Sequence, residues 1–269
     1  MATAMPVPGI RAPSARRRAA DPVPEDVRHP GARWHPSPNV NARRHGGAPD
    51  LVIIHHTAMA TAEAALHRLC DTDPPGDLAP VSCHYLISET GRLWQMVDER
   101  DRAWHAGQGA WGDVTDVNSH SIGIELANTA LHPFPEPQMT VLETLLSEII
   151  ARWSIPPERV VGHSDTAPHR KSDPGAAFDW HRLALRGLAV WPRPGPAGTD
   201  GQATAFADDL RVIGYRTPDD SDQPQALMLR AFRLRFRPWK AATGDPLDAE
   251  DCRIARDIAR RYPVRASAD

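Results

Sequence analysis

Short apolar runs separated by helical patterns constrain the fold of this chain more than any other feature of its sequence. Three of these runs are rich in β-branched or aromatic residues and are typical of strands, at residues 51–54 (LVII), 84–88 (HYLIS) and 92–97 (RLWQMV). Only a Glu-Thr-Gly segment, residues 89–91, separates the second run from the third, which predicts a β-hairpin. One more short strand is expected at residues 160–164 (VVGHS).

The segment SIGIELAN, residues 121–128, alternates with the period of a strand. Successive side chains of a strand point to opposite faces of its sheet. One face should therefore carry Ile122, Ile124 and Leu126. The other face should carry Ser121, Gly123 and Glu125.

Helical patterns lie between the predicted strands. Thr61 is a suitable N-cap for a helix in TAEAALHRLC. A longer helix is predicted from apolar residues that share one face, namely Val141, Leu142, Leu145, Leu146, Ile149, Ile150 and Trp153. Strands interleaved with helices indicate an α/β or α+β domain with a mixed central β-sheet flanked by helices.

Two proline-rich segments divide the chain of 269 residues. Residues 1–35 have no hydrophobic period, and we expect them to form a disordered N-terminal lead. Residues 191–202 (WPRPGPAGTDGQ) have the composition of an interdomain linker. One domain is therefore expected at 36–190. A small unit of three helices is expected at 203–265, with apolar positions at Phe206, Leu210, Ile213, Leu227, Ala231, Phe232 and Phe236 and a third helix from 248 to 261.

Charge and cysteine content exclude several classes of protein. The formal net charge of −3 gives no electrostatic argument for a nucleic-acid partner. No stretch approaches the roughly 18 apolar residues of a membrane span. The arginines at 16–18 are not followed by the apolar region of a secretory signal, so we expect a cytoplasmic protein. Three cysteines form no disulfide framework and are expected as reduced thiols, with a Cys70–Cys83 bridge as the alternative.

Two histidines and a carboxylate form a candidate zinc site. His55 ends a predicted strand, and His163 and Asp173 are joined by a loop rich in proline and glycine that can fold back on itself. Three such protein ligands leave a fourth position open, as in catalytic zinc sites. His56 competes with His55 for the ligand role. Because strand alternation sends the two side chains to opposite faces, only one of them is a ligand.

Two further residues suit the chemistry of a zinc hydrolase. Glu125 could act as the general base that accepts a proton from the attacking water. Lys171, two residues before Asp173, could stabilise the oxyanion of a tetrahedral intermediate. The alternatives are a carboxylate that faces solvent from its strand and an ordinary surface lysine.

Other polar and aromatic residues are candidates for a substrate cleft. The predicted lining residues are His84, Trp104, His105, Asn128 and Arg170. Trp94, Trp104 and Trp111 could stack on a sugar or a peptide, or belong to the core, which is the better interpretation for Trp94.

The motifs that carry these residues resemble a known family. IIHHTA, VSCHYLIS, WHAG, SIGIELAN and GHSDTAPHRKSDPGAAFDW are similar to zinc-dependent N-acetylmuramoyl-L-alanine amidases of the type 2 amidase family, which share a fold with peptidoglycan recognition proteins. The resemblance spans residues 35 to 190. It implies a zinc amidase catalytic domain at 36–190, with the metal at one end of a groove. It places the zinc ligands at His55, His163 and Asp173, the catalytic glutamate at Glu125 and the oxyanion-stabilising lysine at Lys171.

The last third of the chain resembles a second, smaller domain. DLRVIGY, ALMLRAFRLRF and GDPLDAEDCRIARDI are similar to the three segments of a peptidoglycan-binding helical domain. The usual glycine and threonine landmarks of that domain are partly lost, so residues 203–265 look like a degenerate member.

The resemblance implies a reaction and a partner. The reaction is hydrolysis of the amide between N-acetylmuramic acid, in its anhydro form, and L-alanine of the stem peptide, in bacterial cell-wall recycling. The partner is a muropeptide or peptidoglycan, and zinc is the cofactor. Three alternatives remain, namely a periplasmic amidase that acts on intact peptidoglycan, a recognition module that binds muropeptides without cutting them, and a zinc hydrolase of another amide. The sequence does not indicate an oligomeric state.

Overall fold

A computed structural model describes residues 27–193, 195, 203–216 and 223–264. It contains a mixed central sheet with helices packed on both faces, as the sequence predicts. The first 26 residues of the predicted lead and most of the predicted linker lie outside the described residues.

Six strands form the central sheet and two form a separate ribbon. In chain order the strands are β1 (Arg33–Trp34), β2 (Val40–Ala42), β3 (Leu51–His56), β4 (Tyr85–Ile87), β5 (Leu93–Gln95), β6 (Asp101–Ala103), β7 (Ser121–Leu126) and β8 (Val160–Gly162). The central sheet has the order β1-β5-β4-β7-β3-β8, and β2 pairs with β6. In the central sheet, β4 and β5 form the predicted antiparallel hairpin, whereas the other neighbours are parallel.

Nine helices occur in the described residues. They are α1 (Ala62–Cys70), α2 (Val117–His120), α3 (Glu136–Trp153), α4 (His163–Thr166), α5 (Trp180–Leu185), α6 (Ala203–Ile213), α7 (Pro224–Phe236), α8 (Pro238–Ala241) and α9 (Ala249–Arg261). Thr61 caps α1 as predicted, because its side chain accepts a hydrogen bond from the backbone N–H of Ala64. Asp248 caps α9 in the same way, through the N–H of Asp251.

Strand β3 is apolar on both faces because each face is covered. Val52 and Ile54 belong to a core cluster with residues of α3, including Leu142 and Leu146. Leu51 and Ile53 belong to a second cluster, which the C-terminal helices dominate. A third cluster packs α1 against β4 and β5. Parallel strands buried in this way read as continuous apolar runs, which is the pattern of LVII.

The C-terminal helices therefore share a core with the central sheet. The hydroxyl of Tyr215, just after α6, donates a hydrogen bond of 2.6 Å to the buried carboxylate of Asp165 in α4. Arg235 of α7 lies 3.1 Å from the same carboxylate and donates to the carbonyl of Val160 at 3.0 Å. Its guanidinium also stacks on Trp180, 4.6 Å from the ring centroid. The prediction treated residues 203–265 as a unit beyond a linker and did not anticipate these contacts.

The described part of the predicted N-terminal lead packs on the sheet. Val27 is buried, and its N–H donates to Asp98 at 2.8 Å. Strand β1 pairs with β5, whose outer edge would otherwise expose unpaired backbone groups. The prediction of disorder up to residue 35 is thus wrong for residues 27–35. Composition indicated disorder there because the segment gains its order only from contacts with distant residues.

The structure also bears on the predicted state of the cysteines and on membrane-spanning helices. Cys70, Cys83 and Cys252 are free thiols, so the structure contains no Cys70–Cys83 bridge. Among the described residues, no helix combines the length and the apolar character that crossing a membrane requires.

The buried ion pair between Arg235 and Asp165 gives a test of the shared core. We expect Arg235→Met to reduce the free energy of unfolding by about 3–5 kcal/mol, because it leaves a buried carboxylate without its counter-charge. Denaturant unfolding followed by tryptophan fluorescence measures this loss. We also expect one transition for the whole chain, since the sheet and the helices share core residues.

Arg211→Met is the matched control for this measurement. Arg211 pairs with Asp208 on the exposed surface of α6, where both side chains are more than half exposed. An exposed pair of this kind contributes less than about 1 kcal/mol. Equal losses from the two variants, or a separate transition for the C-terminal helices, would contradict the shared core.

Candidate metal centre and active site

Neighbouring parallel strands bring the two histidines to one edge of the sheet. Strands β3 and β8 pair in register, with Ile54 opposite Gly162. His55 follows Ile54 and His163 follows Gly162, so both histidines lie at the carboxyl ends of their strands. His55 therefore ends a strand as predicted, and both histidines lie at the edge of the sheet where open α/β sheets bind ligands.

A tight loop returns Asp173 to the two histidines. The backbone carbonyl of Asp173 accepts a hydrogen bond of 2.9 Å from the N–H of Ser164. Gly162 permits this close approach, since a Cβ at that position would lie 2.7 Å from Cδ of Pro174. The glycine of VVGHS is therefore required by packing between the strand and the loop.

The three side chains present their ligand atoms to one point. Nδ1 of His55 lies 3.0 Å from Nδ1 of His163 and 3.0 Å from Oδ2 of Asp173. Nδ1 of His163 lies 3.1 Å from the same oxygen. In the part of the chain that the structure describes, no other group of three histidine, cysteine or acidic side chains could hold a metal ion. The predicted competitor His56 is outside this group, and its Nδ1 lies 3.2 Å from the carbonyl of Pro174.

The protonation of these groups fits a cation. Nε2 of His163 lies 2.9 Å from the carbonyl of Ala106, which can only accept, so this nitrogen carries a proton and Nδ1 is the nitrogen that faces the other two side chains. Burial, reinforced by the nearby His163, lowers the pKa of His55 to about 4, so its imidazole is neutral at pH 7. Neutral histidine nitrogens and a carboxylate are the ligands that Zn²⁺ takes in proteins.

Glu125 lies beside this group on the neighbouring strand. Its Cα is the register partner of His55, so the two side chains leave the same face of the sheet. Its Oε2 is buried and has no hydrogen-bond partner among the described residues. Burial, followed by the charge of Asp173, raises the pKa of Glu125 to about 8. An unpaired acid with a pKa near neutrality is suited to general acid–base catalysis.

A cleft of about 410 Å³ opens over the group. Its walls include the three candidate ligands and Glu125, together with His56, His105, Arg68, Arg170, Lys171 and Ser172. The structure therefore brings together every residue predicted for metal binding and catalysis. It also places His105 and Arg170, both predicted to contact substrate, at the cleft.

Arg170 and His105 are engaged with the protein itself. The guanidinium of Arg170 donates to the carbonyls of Ala106 and Gln108, and so ties the WHAG segment to the loop that carries Asp173. His105 is buried, and its Nδ1 lies 3.0 Å from Nε2 of His55. Burial and the nearby His55 lower the pKa of His105 well below its usual value.

Three other predicted lining residues lie outside the cleft. His84 is completely buried, where its Nδ1 accepts from the N–H of Gly123 at 3.0 Å and its Nε2 lies 3.1 Å from the carbonyl of Asp101. Trp104 donates from its indole N–H to Asn41 at 2.9 Å. Asn128 is buried and accepts from the N–H of Ala130 at 2.7 Å. The geometry gives these side chains roles in packing and loop structure.

Sequence reasoning missed several residues of the cleft, among them the polar Ser172 and Arg68, and two residues that support His105. Ser172 stands between Lys171 and Asp173, so its position in the motif was an available signal. Arg68 reaches the cleft from α1, and Asn118 and Ser121 support His105 from below. Their roles depend on contacts between distant segments. The core positions expected for Trp94 and considered for Trp111 are confirmed, since both side chains are buried.

A buried group of two histidines and one aspartate, beside an unpaired carboxylic acid in a polar cleft, defines a hydrolase with a candidate metal centre. The sequence model of the family described as N-acetylmuramoyl-L-alanine amidase matches residues 45–176. The N-acetylmuramoyl-L-alanine amidase AmiD of Escherichia coli is 34% identical over 238 residues, which cover 79% of this chain and 83% of the relative. The chain therefore belongs to the N-acetylmuramoyl-L-alanine amidase family.

Two further comparisons agree with this assignment. The 1,6-anhydro-N-acetylmuramyl-L-alanine amidase AmpD of Enterobacter cloacae is 34% identical over 164 residues, covering 56% of this chain and 88% of the relative. The structure of Escherichia coli AmiD in complex with its substrate, anhydro-N-acetylmuramic acid-L-Ala-D-gamma-Glu-L-Lys, superposes with a TM-score of 0.71 at 33% identity. That superposition covers 82% of this chain and 93% of AmiD, so the resemblance extends beyond the catalytic segment.

The raised pKa of Glu125 predicts a stability that depends on pH in the metal-free protein. Between pH 4.5 and about 8 the folded protein holds a proton on Glu125 that the unfolded chain has released, so folded stability falls as pH rises. Glu125→Gln removes this dependence. In the presence of a chelator and above pH 8, we expect the free energy of unfolding of the variant to exceed that of the wild type by a few kcal/mol. The variant should therefore unfold at a higher temperature. Near pH 4.5 the two proteins should be alike.

Scanning calorimetry across this pH range is the measurement. Glu63→Gln is the control, because it makes the same chemical change at an exposed position of α1. A constant difference for Glu125→Gln would refute the buried, protonated carboxyl.

Proposed function

We propose that this chain is a zinc-dependent amidase of peptidoglycan degradation and recycling. The bond it hydrolyses is the amide between N-acetylmuramic acid, in the anhydro form, and L-alanine of the stem peptide. One observation carries the proposal: the His55–His163–Asp173 group and the unpaired Glu125 meet at the head of one cleft. The names of the relatives support the anhydro substrate, since AmpD is a 1,6-anhydro-N-acetylmuramyl-L-alanine amidase and AmiD was captured with an anhydro-muropeptide.

His55, His163 and Asp173 would hold the zinc ion through Nδ1, Nδ1 and Oδ2. A zinc ion held there supplies Lewis acidity at the head of the cleft. The convergence of two imidazole nitrogens and one carboxylate oxygen supports zinc over the hard cations that prefer oxygen ligands alone.

Glu125 transfers the proton of the reaction. Its Oε2 accepts a proton from the attacking water and delivers it to the nitrogen of the leaving alanine. In the metal-free protein, Asp173 raises the pKa of this carboxyl and Lys171 lowers it. A cation beside Asp173 would lower that pKa further, because it stabilises the carboxylate. Glu125 is then available as a base near neutral pH.

Lys171 supports the developing negative charge. It lies in the wall of the cleft, two residues before Asp173, so the loop that supplies a ligand also supplies a cation. An ammonium group at this place would stabilise the oxyanion of the tetrahedral intermediate. Arg170 contributes by fixing the adjacent WHAG segment through its two carbonyl contacts.

Mass spectrometry of a purified anhydro-muropeptide tests the proposal. The zinc-loaded protein should release free stem peptide and the anhydro sugar, a chelator should abolish the release, and added zinc should restore it. Glu125→Gln should retain zinc and lose about 10²–10⁴-fold in rate, which is the usual contribution of a general base. Binding without release by the zinc-loaded wild type would replace the amidase with a muropeptide-binding module.

Lys171→Met tests the oxyanion role separately. Removal of one stabilising group should lower kcat by about 10²–10³-fold and leave KM nearly unchanged, since the interaction forms only in the transition state. Lys240→Met is the control, because Lys240 is the other lysine of the sequence and pairs with Asp245 in the C-terminal part. A rise in KM at constant kcat would instead make Lys171 a residue for ground-state binding.

Two properties stay predictions. The first is the cytoplasmic location with its periplasmic alternative, which fractionation of cells that express the chain would decide. The second is glycan binding by residues 203–265, which a pull-down with intact sacculi would decide. In the described residues the helices of this segment pack on the sheet through Leu51 and Ile53.

A further inference from the structure

His105 lies directly behind the candidate ligand His55. The two imidazole rings meet edge to face with 5.1 Å between their centroids, and Nδ1 of His105 is 3.0 Å from Nε2 of His55. The second ring nitrogen of His105, Nε2, lies 3.2 Å from the hydroxyl oxygen of Ser121. His105 thus connects a ligand to a buried serine of β7.

The contact between Ser121 and the backbone fixes the direction of this hydrogen bond. The hydroxyl of Ser121 lies 2.6 Å from the carbonyl oxygen of Val117, and a carbonyl oxygen can only accept. The single hydroxyl proton of Ser121 is therefore used on Val117. It follows that Ser121 accepts from His105, and that Nε2 of His105 carries the proton.

The proton on Nε2 of His105 also fixes the donor and the acceptor in the hydrogen bond between His105 and His55. A neutral imidazole has one N–H, so Nδ1 of His105 carries an electron pair and accepts from Nε2 of His55. Nδ1 of His55 then carries an electron pair, which a cation held beside Oδ2 of Asp173 would accept. Without such a partner, a histidine can place its proton on either nitrogen, and one of the two forms cannot bind a metal through Nδ1.

The surrounding structure holds His105 in place for this contact. The ring lies against Gly123, where a Cβ would come within 2.4 Å of Cγ of His105. The side-chain oxygen of Asn118 accepts from the backbone N–H groups of His105 and Ala106 at 3.1 and 2.8 Å. One face of β7 therefore supplies an acceptor at Ser121, space at Gly123 and an acid at Glu125.

We propose that Ser121 and His105 are positioning residues that fix the tautomer of His55. The chain of hydrogen bonds from Val117 through Ser121 and His105 keeps the proton of His55 on Nε2. Nδ1 of His55 is then free to bind the metal. This inference rests on the zinc site of the proposed function. Hydrogen-bond partners of metal ligands raise affinity by orienting the ligand and selecting its tautomer, typically by 10–100-fold.

Ser121→Ala with Ser119→Ala as the matched control tests the inference. Both serines are buried, and the hydroxyl of Ser119 is also used twice, donating to Asp116 at 2.8 Å and accepting from the N–H of Arg44 at 3.0 Å. Ser119 makes no contact with His105 in the described hydrogen bonds. Zinc affinity is measured by competition with a chromophoric chelator. We expect at least a tenfold loss for Ser121→Ala and less than a twofold change for Ser119→Ala.

Nuclear magnetic resonance gives a readout that a general structural defect would not move. Long-range ¹H–¹⁵N spectra of the metal-free protein report which nitrogen of each histidine carries the proton. The wild type should show His55 and His105 protonated on Nε2, whereas Ser121→Ala should show mixed tautomers for both. Unchanged tautomers and unchanged zinc affinity in Ser121→Ala would overturn the proposal.

A second pair of variants separates hydrogen bonding from packing. His105→Asn can place an amide oxygen near the position of Nδ1, whereas His105→Leu fills a similar volume without an acceptor. We expect zinc affinity to be retained better by His105→Asn than by His105→Leu, and equal losses would refute the role of the acceptor. These measurements need no substrate. A wild type that binds zinc and fails to cut the muropeptide would refute the proposed function and leave the tautomer result standing.

Discussion

Three atoms that all offer electron pairs are held within about 3 Å of one another, and much of the structure serves to keep them there. Rigid elements bring these two imidazole nitrogens and the carboxylate oxygen together. Parallel pairing of β3 with β8 supplies the two histidines at one edge, and the approach allowed by Gly162 supplies the aspartate. The carbonyl of Ala106 then holds the proton of His163 on the far side of its ring. The site is preorganised by the sheet before any ion arrives, which is what a catalytic centre requires.

The same preorganisation has an energetic cost at Glu125. A carboxyl group with a buried and unpaired oxygen is unfavourable for folding once it ionises, and burial raises its pKa for that reason. A structure selected for stability alone would have an apolar side chain at this position. The neighbouring residues Ile124 and Leu126, which point to the other face of the strand, are apolar. The conflict is resolved if ionisation of Glu125 is coupled to the cation, so that the charged base exists mainly when the site is complete. Catalytic residues often carry such a local cost, which the rest of the core offsets.

The sequence predicted the parts of this molecule that local pattern controls. Alternation in SIGIELAN placed Glu125 opposite Ile122 and Ile124, and the β-branched run before His55 identified the strand that carries a ligand. The choice of His55 over His56 came from family resemblance, since alternation alone shows that the two differ and not which one faces the site. His84 was misplaced because the side chain of a strand residue can be covered by segments distant in sequence, here Arg43 and the strand at Gly123. The contacts of the C-terminal helices with β3 were missed for the same reason, as no periodicity records which element covers a given face.

The carboxylate of Asp165 links the order of synthesis to the metal site. Asp165 stands two residues after a ligand, and its partners Tyr215 and Arg235 follow it by 50 and 70 positions. A nascent chain that has left the ribosome as far as residue 190 contains all three candidate ligands, yet it lacks both Tyr215 and Arg235, which pair with the carboxylate of Asp165 in α4. An N-terminal domain usually folds before the rest of its chain has been synthesised. In this chain the carboxylate two residues after the ligand His163 therefore gains its cationic partner only once α7 has been synthesised.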